Sequence, residues 1–131
     1  MKRAEFVQRL VLNAMCDDFE NVDQIILPTV ATVGGKCGLA INRSEVVEAL
    51  RALVENGFAK AYDLSATGDS PFSGELQGMP PMDLVEDDFT FKTYFYITKQ
   101  GIEFHRSKSA WWPLTDDDDE ALRPDWIPPE D

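Results

Sequence analysis

Cysteine and histidine are nearly absent from this chain of 131 residues. The two cysteines, Cys16 and Cys37, fall in different predicted elements at no metal-type spacing. That excludes a disulfide framework and a thiolate metal site, and the expectation is a reduced, intracellular protein. His105 is the only histidine, and neither cysteine has a predicted base beside it. No apolar run approaches the roughly 18 residues that a membrane span needs. The opening M-K-R-A-E-F-V-Q-R-L lacks the uninterrupted apolar centre of a signal peptide, so a soluble, cytoplasmic protein is expected, with no membrane partner. G-x-x-x-x-G-K-S/T, G-x-S-x-G and H-E-x-x-H are all missing. G-G-K-C-G is too short for a phosphate loop. The expectation is therefore no enzyme, no catalytic residue, no cofactor and no metal.

Basic residues are also scarce: 12 Lys and Arg stand against 24 Asp and Glu, a net charge of −12. The imbalance is localised. Residues 63–88 hold seven acids and no base, and residues 109–131 hold eight acids and one base. The remainder, with nine acids and eleven bases, carries +2. A nearly neutral body thus bears two acidic appendages. With 14 aromatic residues and 44% hydrophobic residues, one domain can bury a core unaided.

The periodicities place the elements. Val7, Leu10, Val11 and Ala14 share one face of a helix over 3–16. Val22, Ile25, Ile26, Thr29 and Val33 fit a second helical face within 21–34, with Asn21 as a candidate cap. Pro28 interrupts it. Either a helix starts near Leu27 with Pro28 in its first turn, or Gln24–Leu27 is a short extended segment. Gly34, Gly35 and Gly38 mark a turn. The third helix is capped by Asn42, with Glu45 placed to complete a capping box. Its buried stripe is Val46, Ala49, Leu50, Leu53 and Val54, and Gly57 stops it. Strand Phe58–Leu64 follows at once. In a second strand, Thr90–Thr98, Phe89, Phe91, Phe95 and Ile97 face the core, while Lys92, Tyr94 and Tyr96 face solvent or a partner. A short last helix has Thr98 as cap and Ile102 and Phe104 partly buried. The connection between the strands is rich in Gly, Pro, Ser and Asp and is long for a hairpin loop.

G-L-A-I-N-R-S-E-V-V-E-A-L-R-A-L-V-E-N-G-F-A-K-A-Y resembles the turn, recognition helix and first wing strand of winged helix-turn-helix regulators. Y-F-Y-I-T-K-Q-G-I-E-F resembles the strand, Thr and Gly that close the wing. The resemblance covers 3–63 and 89–106 and is to the MarR/PadR-like kind, in a divergent and acidic form. It implies an α+β winged helix over 1–108: three core helices, a β-hairpin wing carrying an acidic insertion at 65–88, and a short C-terminal helix. An acidic Trp- and Pro-rich tail occupies 109–131. Two departures stand out. The turn from Gly34 to Asn42 is long, and the wing is acidic where such families often carry bases.

The resemblance implies DNA binding through the third helix, with Arg43, Ser44, Val47, Glu48 and Arg51 at the groove. Charge argues against it, because affinity for DNA rests on cations at phosphates. Arg43 and Arg51 could instead pair with glutamates of their own helix. The preferred expectation is protein–protein interaction in a regulatory or assembly role, with Lys92, Tyr94, Tyr96, Trp111, Trp112 and Trp126 as candidate interface residues. The partner would be a second copy, giving a homodimer through the first helix and the C-terminal segment, or another protein. Trp111 and Trp112 have a plainer reading, folding back to cover the core. The run Asp116–Asp119 reads as a solvated charge run or an electrostatic screen over the Arg43–Arg51 helix rather than a calcium site. Cys37 offers a third function, a redox-sensing thiol whose pKa Lys36 could lower; the alternative is a small buried filler.

Overall fold

The computed structural model describes residues 1–16, 18–64, 70–86, 92–108, 110–115 and 121–130. Among them are four α-helices, α1 (Arg3–Ala14), α2 (Leu27–Lys36), α3 (Arg43–Glu55) and α4 (Lys99–Arg106), and two strands, β1 (Ala59–Asp63) and β2 (Thr93–Ile97). The strands pair antiparallel, Ala61 opposite Phe95. The protein is thus mixed α+β, and its order of helices and hairpin is compatible with a winged-helix-like arrangement.

α1 supplies the centre of the core. Phe6, Val7, Leu10, Val11, Leu12 and Met15 are all buried. Arg9 is buried with them at 1% exposure. Its guanidinium donates to Glu5, to the Phe104 carbonyl and to the Ser107 hydroxyl, and lies 4.3 Å from the Phe104 ring centroid. A buried cation is tolerable only when paired in this way.

The second element resolves the Pro28 alternatives. Val22–Ile26 forms one turn of π-helix capped by the Asn21 side chain, and α2 follows without a break at Leu27, with Pro28 in its first turn. The extended alternative for Gln24–Leu27 is not found. The wider π turn also corrects the expected face: Val22, Ile26 and Val30 are buried, while Ile25 and Thr29 are exposed. Gly38, with φ of 76°, turns the chain just beyond the end of α2. The Leu39 N–H bonds the Gly34 carbonyl at 2.8 Å and the Gly38 N–H bonds Gly35 at 3.1 Å, a Schellman closure.

α3 starts and stops as expected. Asn42 accepts from the Glu45 N–H at 3.0 Å, and Gly57, at φ 78°, ends the helix with the same closure. The capping box is only half built, because the Glu45 carboxylate pairs with Arg3 instead. Val46, Ala49, Leu50 and Leu53 are buried; Val47 joins them, and Val54 is half-buried.

Both strands are shorter than expected. Phe95 and Ile97 face the core, and Tyr94 and Tyr96 are half-buried on the other face. Phe89, Thr90 and Phe91 lie outside the described residues. Each outer edge of the hairpin is extended by one bridge, Glu20 to Phe95 and Glu75 to Tyr62. Thr98 caps α4. Phe104 stacks on Phe58 with centroids 4.7 Å apart, but Ile102 is exposed rather than partly buried. α4 is a short helix and Phe104 occupies its single line of contact.

The C-terminal segment folds back on α1. Trp111 and Leu114 are buried, and the Trp111 and Trp126 rings lie 6.2 and 5.6 Å from Phe6. The Arg3 N–H donates to the Glu130 carbonyl, and the Glu130 N–H donates to the Met1 carbonyl. Among the described residues no helix is long and apolar enough to cross a membrane.

Candidate functional site

Two surfaces carry the residues singled out above. The first is the N-terminal half of α3. Arg43 begins the helix, and its guanidinium makes four hydrogen bonds. Two go to Asp23 (2.7 and 3.2 Å), one to the Met82 carbonyl (2.6 Å) and one to the Leu84 carbonyl (3.1 Å). Asp23 belongs to the π turn, and Met82 and Leu84 to the acidic connection between the strands. Asp23 also accepts from the Glu86 N–H at 3.0 Å. Burial works to raise the Asp23 carboxyl, but the bonds from Arg43 and Glu86 and the guanidinium charge outweigh it and hold it below the usual carboxylate range. Met82 is 5% exposed and anchors the segment in the core.

The acidic connection therefore runs across the start of α3. Between them lies a cleft of about 280 Å³ lined by Arg43, Ser44, Val47, Arg51, Met82 and Asp83 among others. Ser44 is exposed, Val47 is buried, and Arg51 is half-buried with a long contact to Glu48 at 3.5 Å. The intrahelical pairing expected of Arg51 is present; that of Arg43 is replaced by Asp23. Asp116–Asp119 lie outside the described residues; among the described ones, Asp23 and Asp83 bring carboxylates to the start of this helix.

The second surface is the outer face of the hairpin. Tyr96 meets Phe19 at 4.6 Å and Phe72 at 5.5 Å between ring centroids, and both also meet Tyr62. Phe72, from a 3-10 turn in the connection, is 51% exposed. Lys60 on this face is held by Glu75 at 2.9 Å. Lys92 is exposed. Of the tryptophans, Trp112 and Trp126 are half-buried, whereas Trp111 is buried and gives its indole N–H to the His105 carbonyl. The folding-back reading describes Trp111.

Beside Lys92 the connection exposes an apolar pair, Leu84 at 82% and Val85 at 68%. A hollow of about 330 Å³ is lined by Pro81, Asp83, Leu84, Val85, Glu86 and Lys92. Sequence reasoning did not single out Leu84, Val85 or Phe72. The available signal was an apolar pair set between acids in M-D-L-V-E-D-D, in a loop too long for a turn.

The residues considered for chemistry stand apart. Burial pushes the Cys37 thiol up to about 11, which corrects the expectation that Lys36 lowers it. A thiol so raised is a poor redox sensor. His105 is half-buried, 3.1 Å from the Asn13 side-chain oxygen. Burial first, then the charges of Arg9 and Arg106, lower its pKa. Among the described residues no cluster of three or more His, Cys, Asp or Glu could hold a metal ion. Neither a protein-family model, nor a curated protein, nor a solved structure matches this chain.

Proposed function

We propose that this chain is a non-catalytic winged-helix module that binds another protein, in a regulatory or assembly role, through the outer side of its hairpin around Tyr94, Tyr96 and Lys92. The supporting observation is the commitment of Arg43. The arginine best placed to enter a groove is tied to Asp23 and to two carbonyls of an acidic segment. A phosphate backbone approaching α3 would first meet the carboxylates of Asp83 and Glu86, both close to Arg43. Little cationic surface is left to release counterions. The hairpin face, by contrast, keeps aromatic area within reach of solvent, the kind of surface that anchors protein interfaces.

A random DNA duplex titrated against the full chain at low salt tests the reading, since low salt magnifies any phosphate attraction. No micromolar binding is expected. Binding that falls steeply with added salt would overturn the proposal in favour of a DNA-binding regulator acting through Ser44 and Arg51. A photo-crosslinking side chain at position 94 supplies the positive arm. In a cell extract it should yield a discrete protein adduct, and adducts to nucleic acid alone would reverse the conclusion.

A further inference from the structure

We propose that the segment Pro81–Glu86 is a preorganised docking epitope for a cationic amphipathic segment of another protein. Leucine-like side chains of the partner cover Leu84 and Val85, and its Lys or Arg heads meet Asp83 and Glu86. The inference rests on the protein-binding reading above and names the partner chemistry and the place.

The geometry is that of a strap fixed at both ends. On its inner side Met82 is buried and Arg43 holds the carbonyls of Met82 and Leu84. At its far end the Glu86 N–H is held by Asp23, and the Glu86 carboxylate accepts from the Lys92 and Thr93 N–H groups at 3.4 Å. Between these anchors Leu84 and Val85 point their area at solvent. A chain held in one conformation has already lost the backbone freedom that docking would otherwise cost. Apolar side chains in a free loop gain nothing from such fixation; side chains that must meet a partner do.

Charge selects the partner. Asp83 is exposed and Glu86 half-buried beside the apolar pair, and Lys92 is the one base lining the hollow. In sequence, the segment belongs to a stretch, 63–88, that contains seven acids and no base. An Arg or Lys side chain can lay its aliphatic stem on Leu84 and Val85 and place its charge at the carboxylates. Nucleic acids and anionic lipid surfaces are repelled. A second copy fits poorly, because in its groove between α1 and α3 the base, Arg3, is already paired with Glu45, and Glu48 adds a negative charge.

The test uses the full chain and two labelled peptides of equal positive charge, one of alternating leucine and arginine blocks and one of glycine and arginine. The leucine-bearing peptide should bind the native chain more tightly. The double variant Leu84→Ser, Val85→Ser keeps the net charge and replaces two exposed side chains. It should lose about tenfold in affinity for that peptide and erase its advantage over the glycine peptide. Asp83→Asn should weaken both peptides and reduce their salt dependence. Equal binding of the two peptides, or an undiminished affinity in the double variant with its melting temperature unchanged, would reduce the effect to general attraction by an acidic protein and overturn the epitope. That failure is distinct from failure of the protein-binding reading, which the DNA titration decides.

Discussion

Arg43 joins three parts of the molecule through one guanidinium: the π turn, the first turn of α3 and the strand connection. Replacing it by methionine leaves Asp23, whose side chain is 8% exposed, without a counter-charge. Arg43→Met should cost about 2 kcal/mol, read as a lowered denaturation midpoint. The same pair sets an acid limb. Because the Asp23 carboxyl is held below its ordinary value, its stabilisation is full above the unfolded-state pKa near 3.9 and is lost as pH falls through the folded value. Asp23→Asn should flatten the stability profile there. His105 acts at higher pH. Its folded pKa lies below the ordinary 6.5, so the unfolded chain takes up the proton first and stability falls as pH drops from about 6.5 toward the folded value. Urea unfolding at neutral and mildly acidic pH should reveal this loss, and His105→Gln should reduce it.

Among the elements, α4 depends on one glycine. A Cβ at Gly101 would collide with the Phe58 carbonyl and with Ile97. Backbone cannot yield as a side-chain tip can, so Gly101→Ala should cost about 3 kcal/mol and lower the melting temperature. Gly35→Ala is the control, since a Cβ there meets nothing. This close approach also marks the limit of what was legible beforehand. α3 was readable from Asn42 to Gly57 because caps and stops are local chemistry, written within four residues of the helix ends. The alternation of β2 was readable for the same reason at Phe95 and Ile97. The π turn was not, because one added residue per turn leaves no mark in composition yet moves Ile25 and Thr29 off the buried face. Nor was the pairing of Arg43 with Asp23, which depends on two elements meeting. The exposed Leu84 and Val85 were hidden by the same cause: their setting is fixed by a contact 41 residues away in the chain.

On the scale of the whole molecule, acidic composition does not keep a segment out of the core. The C-terminal segment carries eight acids against one base, yet Trp111 is buried against α1, and Trp112 and Trp126 are partly buried beside it. Trp111 is 7% exposed and in edge contact with Phe6, His105 and Trp112. Arg123, the one base of the segment, donates to the Trp112 carbonyl and closes the loop around Pro113. The segment thus contributes apolar burial in spite of its charge, and the two effects separate by substitution. Trp111→Ala opens a cavity beside Phe6 and should cost about 4 kcal/mol. Trp126→Ala, at a half-buried site, should cost less than half of that. If 109–131 were only a solvated acidic tail, neither change would move the melting temperature. The expected gradient, large at Trp111, moderate at Trp126 and near zero at exposed Ile127, is what an integral part of the core produces. A flat response across the three, measured by thermal unfolding at fixed salt, would assign the segment to the surface.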